Sequence, residues 1–256
     1  MDIKTVKKNI QEKKLSFGSW IQIPNVFTTE IMARSGFDWL AIDIEHGLID
    51  LETTFRLIQV IDGCGVIPLV RLFENNESTI RRVMDAGAGG VIVPMVNTPE
   101  DAQKVVNAVK YAPLGKRSFG LGRAHDFGLD FDEYVRTSND RTIIVVQIEH
   151  VNALKNLDRI VKVQGIDAII IGPYDLSGSL GIPGQFDHPD YRETLQSIIR
   201  RVQKSPIALG IHIVHPSEKE LEEMESAGFT FIGLGMDSIY ILEGSHAVIQ
   251  YAKGKN

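Results

Sequence analysis

Eight short runs rich in Val and Ile recur along this chain, each separated from the next by a stretch of helical period. No other feature constrains the fold as strongly. The runs are FGSWIQI (17–23), WLAIDIEH (39–46), VIPLVRL (66–72), GVIVPMV (90–96), TIIVVQIE (142–149), IDAIIIGP (166–173), ALGIHI (208–213) and TFIGLGMD (230–237). They are almost continuously apolar, as parallel strands covered on both faces must be. The pieces between them carry helix signals. TPEDAQKVVNAVKYAP starts with Thr98 as N-cap and Pro99 in the first turn, and stops at Pro113. ESTIRRVMDAGAGG ends in glycines, and HPSEKELEEMESAGF closes at Gly228. Eight such alternations predict an α/β fold: a single (β/α)8 TIM barrel with an N-terminal helix, one domain over 1–256. A doubly wound open sheet is the rival, but it has fewer strands, and no G-x-G-x-x-G follows the first run.

Composition narrows the functional classes. With 43% hydrophobic and 23% charged residues and a net charge of −6, the chain can bury a large core. No Lys/Arg cluster faces aromatic residues, so nucleic acid is not an expected partner. Lys4, Lys7, Lys8, Lys13 and Lys14 read as the solvated face of the first helix, with Ile3, Val6 and Ile10 turned inward. No apolar run approaches the roughly 18 residues of a membrane span, and the N-terminus has no apolar signal segment. Cys64 is the only cysteine, which leaves no internal disulfide. The expectation is a cytoplasmic protein that does not engage membranes.

Two intervals between strands are longer than the rest. One, 97–141, contains APLGKRSFGLGRAHDFGLDF; the other, 174–207, begins YDLSGSLGIPGQFDHP. Both are expected over the C-terminal mouth of the barrel, as a lid or a wall facing substrate.

Polar residues gather where the strands end. The second run ends in Asp43, Glu45 and His46, the third in Arg71 and the fifth in Gln147 and Glu149, while Asp175 follows the sixth. Side chains from four strands around one mouth share a small, poorly solvated space, and converging charges there need a substrate, a metal or each other. Ile-Glu-His occurs twice, at 44–46 and 148–150. Strand alternation turns Gln147 and Glu149 to one side and leaves His150 on the other as a capping or packing residue. In the first copy Asp43 and Glu45 share a face and His46 lies at the exit, where a carboxylate three residues earlier can orient its ring. The expected pairing is therefore Glu149 from the second copy with His46 from the first, and Glu45 is either a supporting or a purely structural group. Glu149 and Asp175 are hard oxygen donors suited to Mg²⁺ or Mn²⁺. Paired carboxylates also serve glycoside hydrolysis, but Arg71 at the same mouth favours an anionic substrate. No lysine falls within a predicted strand, so the barrel offers no Schiff-base candidate.

Together these stretches resemble the HpcH/HpaI aldolases, metal-dependent class II pyruvate aldolases on a (β/α)8 barrel. The matching pieces are GFDWLAIDIEHG (36–47), VRL (70–72), MDAGAGGVIVPMV (84–96), YAPLGKRS (111–118), VQIEH (146–150) and IIIGPYDLSGSLG (169–181). The resemblance implies His46 as general base with Asp43 as its orienting partner, and Arg71 stabilising the enolate and developing oxyanion. It implies Glu149 and Asp175 as ligands of a divalent cation (Mg²⁺ or Mn²⁺, with Co²⁺ a further candidate), and Gln147 and the backbone at Tyr174 as contacts of the bound oxo acid. It also implies an acid at Asp85 that raises the basicity of the histidine. Asp85 falls at the end of the third helix, at the opposite end of the barrel, so it can act only from a neighbouring subunit. That implies a homo-oligomer, a hexamer in the family. Tyr174, Ile44 and SFGLGRAHDFG (118–128) depart from the family pattern where aldehyde specificity would be set.

The expected reaction is reversible cleavage of a 4-hydroxy-2-oxo acid into pyruvate, or a close 2-oxo acid, and an aldehyde. His46 takes the 4-hydroxyl proton and the metal acts as Lewis acid. His125 either touches the aldehyde end or lies in solvent, and His212 is a satisfied core residue. The rivals are an oxaloacetate decarboxylase or CoA-ester lyase using the same enolate, and a metabolite-binding barrel without turnover.

Overall fold

The computed structural model describes residues 3–254. Eight parallel strands close into a barrel in sequence order, with β1 pairing β8: β1 (Ser16–Ile21), β2 (Trp39–Asp43), β3 (Ile67–Arg71), β4 (Gly90–Val93), β5 (Ile143–Ile148), β6 (Ala168–Ile171), β7 (Ala208–Ile213) and β8 (Phe231–Met236). Closure excludes the open-sheet rival. The helices are α1 (Ile3–Gln11), α2 (Val26–Ala33), α3 (Leu51–Gly63), α4 (Glu77–Asp85), α5 (Pro99–Val109), α6 (Phe131–Arg141), α7 (Val151–Ile160), α8 (Pro173–Ser179), α9 (Pro189–Gln203), α10 (Glu218–Ser226) and α11 (Asp237–Lys253).

Each apolar run holds a strand, but several strands stop sooner than their hydrophobicity does. After Asp43 the amides of Glu45 and His46 bond to the Asp43 side chain instead of a neighbouring strand. Pro173 starts α8 immediately beyond Gly172. Helix starts follow the sequence signals: Thr98 and Asp101 form a reciprocal capping box with Pro99 at the first turn of α5.

Inside the barrel, Trp39 stacks on Phe231 with ring centroids 4.3 Å apart and meets Trp20 edge-on at 5.6 Å. Glycines face these rings because nothing larger fits. A Cβ on Gly18 would lie 2.0 Å from the Trp39 ring, and one on Gly233 2.2 Å from Trp20. Helix α1 supplies Val6 and Ile10 to this inner cluster, at the N-terminal end of the strands. Lys7 corrects the expectation of a solvated lysine face. It is buried, donates to the Thr142 carbonyl at 2.5 Å, and lies 3.2 Å from Asp167 Oδ1. Packing α1 against the barrel floor places Lys7 beside the Thr142 carbonyl that precedes β5, which Lys110 Nζ also reaches at 3.0 Å, so the charge meets backbone and Asp167 instead of water.

The first long interval also departs from expectation. Helix α5 follows β4 directly and returns the chain to the N-terminal end, so the remainder of the interval, 110–141, collects there and not over the C-terminal mouth. Its 3₁₀ turn, Arg123–Gly128, packs beside α4, and Arg123 pairs with Asp62 near the end of α3. Only the second interval, with α8 and the loop before α9, reaches the mouth.

Candidate active site

Strand alternation builds the mouth. Trp39 and Ala41 of β2, and Ile67 and Leu69 of β3, point into the barrel, so Asp43 and Arg71 continue the same inward rows and stand opposite each other in register. Asp43 has no exposed surface. Its carboxylate accepts from Arg71 Nε at 3.0 Å and Nη2 at 2.7 Å, from Gln22 Nε2 at 2.9 Å, and from the backbone N–H groups of Glu45 and His46. Burial alone would raise the Asp43 pKa; the Arg71 guanidinium, Gln22 and the His46 amide outweigh it and hold the carboxyl below its usual range. Asp43 therefore fixes Arg71 and the backbone of His46, not the imidazole.

The acidic side chain within ion-pair reach of the His46 ring, among the described residues, is Glu45, 3.8 Å from Nε2. Glu45 Oε2 also lies 3.4 Å from Arg71 Nη1 and is buried without a hydrogen-bond partner. Burial pushes this carboxyl up to about 7; Arg71 opposes the shift, and the negative charges of Glu149, Asp43 and Asp175 add to it. His46 itself is exposed.

On the other side of the mouth, Glu149 is 3% exposed. It accepts from the Met95 amide at 2.6 Å and from the Gln147 side chain, and neither partner carries charge. Burial raises its pKa against those hydrogen bonds, and Asp175 raises it further. Gln147 Oε1 is buried and unpartnered. Gly172 makes room for the pair, because a Cβ there would lie 2.7 Å from Glu149 Oε2. Met95 holds its amide towards Glu149 with a left-handed φ of 53°, a costly backbone state for a side chain of that size. Glu149 and Asp175 line a cleft of about 670 Å³ with Met95, Tyr174, Pro183 and Gly184. Tyr174 stands 60% exposed, its ring edge-on to Phe186.

The floor between these two sides is aromatic. Trp20 lies under Arg71, 5.6 Å from the guanidinium carbon, and stacks on His212 at 4.3 Å. His212 bonds through Nε2 to the Gly235 carbonyl, and burial lowers its pKa to about 4, so it is neutral near pH 7. His150 caps α7, its Nδ1 accepting from the Asn152 amide. Both histidines have the hydrogen-bond partners expected of a capping and a core residue.

Two sequence-predicted residues lie elsewhere. Asp85 ends α4 and pairs with the fully buried Arg117 at 2.6 Å, which in turn sits over the Tyr111 ring. His125 is neither at the aldehyde end nor in solvent. It is completely buried at the N-terminal end, 3.0 Å from the Tyr111 hydroxyl and packed on Phe131 and Tyr134. The early return of α5 carries it there. A second cleft of about 460 Å³ at that end has its Arg123 and Asp62 already paired, and its other acids, Asp126 and Asp130, are exposed to solvent, unlike the buried Glu149. The sequence reading missed Gln22, Trp20, Met95 and Gly172. Alternation alone could have found Gln22, one inward step beyond Trp20.

A closed parallel barrel whose buried acids and arginine converge at the C-terminal mouth defines a (β/α)8 enzyme site. The chain belongs to the HpcH/HpaI aldolase/citrate lyase family, whose sequence profile matches residues 16–243, and it is accordingly a lyase acting on small molecules. It is 37% identical over 235 residues to a 2-keto-3-deoxy-L-rhamnonate aldolase of Klebsiella pneumoniae, covering 91% of this chain and 87% of that protein. It is 36% identical over 248 residues to a hydroxypyruvate/pyruvate aldolase of Roseobacter denitrificans, covering 96% of each. The crystal structure of an HpcH/HpaI aldolase/citrate lyase family protein from Burkholderia cenocepacia superposes with a TM-score of 0.92 at 26% identity, over 98% of this chain and 99% of that one. No helix among the described residues is long and apolar enough to cross a membrane.

Proposed function

We propose that this chain is a divalent-metal-dependent aldolase that reversibly cleaves a 4-hydroxy-2-oxo acid into pyruvate, or a close 2-oxo acid such as hydroxypyruvate, and an aldehyde. One observation carries the reading: a buried glutamate with no cationic partner, Glu149, lies beside Asp175 and across the mouth from an arginine already fixed in place. Three carboxyl groups, Glu45, Glu149 and Asp175, lie within electrostatic reach of one another, and Arg71 is largely neutralised by Asp43. Added positive charge is what this arrangement needs. Among the described residues no three His, Cys, Asp or Glu side chains gather as metal ligands, so the protein's share is two oxygen donors. That suits Mg²⁺ or Mn²⁺, which keep water and substrate oxygens in their remaining positions. The bound cation would supply Lewis acidity to the 2-oxo acid.

The chain's own residues do the rest. Arg71 places a fixed positive charge where the C2 oxygen becomes negative. His46 accepts the proton of the C4 hydroxyl as the C3–C4 bond breaks; the bonding pair passes to C3, the aldehyde departs, and the enolate takes a proton at C3 to give the 2-oxo acid. Gln147, whose buried Oε1 is unpartnered, would accept a hydrogen bond from a hydroxyl of the substrate. The Trp20–His212 stack excludes water below the reacting carbons. Tyr174, Met95 and the 180–184 loop form the wall for the aldehyde portion. The aldolase names of the two relatives, one of them acting on hydroxypyruvate and pyruvate, support this class.

Asp85 acts, in the same reading, in the site of a neighbouring copy. Exposed Phe119, Leu121, Phe127 and Leu129 lie on the segment that surrounds it. Helix α11 exposes Ile241, Leu242, Val248 and Ile249 along one stripe while burying only Asp237. Both surfaces favour a homo-oligomer. The substrate reading is tested by incubating a panel of 4-hydroxy-2-oxo acids with the enzyme and Mn²⁺ and coupling released pyruvate to NADH oxidation by lactate dehydrogenase. Turnover of at least one, abolished in Glu149→Gln, is expected; no turnover across the panel contradicts it.

A further inference from the structure

The retro-aldol step fixes how an aldehyde leaves but not which kind, and the wall beside Asp175 carries that information. Tyr174 lines this cleft and is 60% exposed, yet it is held in place. Its ring lies edge-on to Phe186 with centroids 5.0 Å apart, and Phe186 lies 5.3 Å from Tyr191, a buried residue of α9. A row of rings thus runs from the core to the mouth. Ser177 Oγ donates to the Tyr174 carbonyl at 2.8 Å and accepts from the Gly184 amide at 2.9 Å, while the Ile182 amide donates to the Ser177 carbonyl. These bonds join α8 and the 180–184 loop into one wall. Met95 lines the same cleft with its side chain half-exposed, its amide on Glu149 and its carbonyl accepting from Asn97 Nδ2 at 3.1 Å. The polar side chains of the cleft are largely committed. Glu149 and Asp175 are the cation's donors in the reading above. Ser179 Oγ donates to the Leu176 carbonyl and accepts from the Val151 amide, and His150 Nδ1 accepts from the Asn152 amide. The Tyr174 hydroxyl and His150 Nε2 are the side-chain groups left open among the lining residues. The remaining surface is a phenol ring, a thioether, Pro183 and glycines.

We propose that the aldehyde portion of the substrate is aromatic: C4 carries an aryl ring that packs on Tyr174 and Met95, and Tyr174 is the residue that selects it. This deepens the aldolase reading and rests on it for the reaction. A flat ring gains from both contacts, because an aromatic pair contributes beyond the area it buries and a thioether sulfur packs well against a ring edge. A hydroxylated chain of the same length gains little. It gives up water along a surface that offers few partners, and each hydroxyl left unpaired there costs free energy. A methyl group pays no such penalty but covers too little of the Tyr174 face to hold it. The rigidity of the wall matters as well: the ring of Tyr174 is positioned before substrate arrives, so little ordering is left to oppose binding. An apolar wall rejects added hydroxyls only moderately, which bounds the preference at about 10–100-fold in kcat/KM.

The test compares wild type, Tyr174→Phe and Tyr174→Ala in two measurements. The first is cleavage with Mn²⁺ of 4-hydroxy-2-oxo-4-phenylbutanoate, which releases benzaldehyde, against 4,5,6-trihydroxy-2-oxohexanoate, which releases glyceraldehyde. Wild type should favour the phenyl substrate by at least about tenfold in kcat/KM. Tyr174→Phe should keep that ratio, because the ring and not the hydroxyl makes the contact, and Tyr174→Ala should lower it about tenfold. The ratio cancels any general loss of active enzyme. The second is saturation-transfer NMR with benzyl alcohol, an unreactive ring probe, and glycerol. The aryl protons should receive saturation from wild type and Tyr174→Phe, and much less from Tyr174→Ala, while glycerol receives little from any of the three. A wild-type preference for the trihydroxy substrate overturns the proposal, and so does a ratio or an aryl signal that Tyr174→Ala leaves unchanged. The NMR arm needs no turnover, so it decides the ring site even if the enzyme cleaves neither substrate; wild-type turnover judges the aldolase reading separately.

Discussion

Replacing Asp43 by asparagine removes a single charge from the most buried ion pair at the mouth. The wild-type carboxylate has no exposed surface, while the Arg71 side chain keeps 12% of its own. Arg71 donates through Nε and Nη2 at once; an asparagine can accept one of those bonds but turns an NH₂ towards the other, setting donor against donor. Removing one partner of a buried pair costs about 3–5 kcal/mol. Glu45 remains 3.4 Å from Arg71 Nη1 and Arg71 retains some water, so the lower end, about 3 kcal/mol, applies. For a domain of this size that is a fall in Tm of roughly 6–12 °C, read by circular dichroism at neutral pH. The sign of the pH dependence follows from the depressed Asp43 pKa. Its stabilisation is fully present above the unfolded carboxylate pKa and is lost as pH falls through the lower folded value. The Tm gap between wild type and Asp43→Asn should be constant near neutrality and narrow on acidification. A gap of less than about 2 °C at neutral pH (under ~1 kcal/mol), or one that widens in acid, would refute the assignment of Asp43 as the anchor of Arg71.

Other substitutions separate the site from the scaffold. In Gly172→Ala the new methyl lies 2.7 Å from Glu149 Oε2 and 2.9 Å from its Cβ, so the carboxylate must move; Mn²⁺ affinity measured by EPR should fall about 10–100-fold, and unchanged affinity would show that Glu149 is not a ligand. Lys7→Met removes the 3.2 Å ion pair of buried Asp167 and leaves Lys110 as its nearby cation; it should lower Tm by an amount equivalent to about 1–3 kcal/mol, while turnover at the opposite end stays near wild type. Charging the α11 stripe with Ile241→Asp and Val248→Asp should reduce the mass seen by light scattering without loss of barrel circular dichroism; an unchanged mass would remove α11 from the subunit interface.

The eight strands and their closure were legible because parallel strands buried on both faces must be apolar along their whole length, and only eight such runs occur. The inward rows were legible too: period-two alternation brings Asp43, Arg71, Gln147 and Glu149 to one end without any knowledge of the fold. Alternation does not say which of several acids an arginine will choose. Asp43 took Arg71 because the two are paired in register, a long-range fact that no local spacing encodes. The same limit misplaced the 110–141 insertion. Whether extra residues precede or follow the barrel helix decides which end they cover, and here Thr98 and Pro99 start the helix at once. His125 and Arg117 went with it. Lys7 looked solvated because a lysine that caps a buried carbonyl has the same sequence signature as one facing water.

The proposed function requires that the mouth of this barrel generate an enolate from a 2-oxo acid with the help of a divalent cation. It is tested most directly by incubating the enzyme with pyruvate in deuterated buffer and following loss of the C3 proton signal by NMR, with Mg²⁺ or Mn²⁺ and with EDTA. Exchange is expected to need the cation, to stop in EDTA, and to disappear in Glu149→Ala and Arg71→Ala. Failure of pyruvate and hydroxypyruvate to exchange with either cation, or exchange that persists in EDTA, would contradict it.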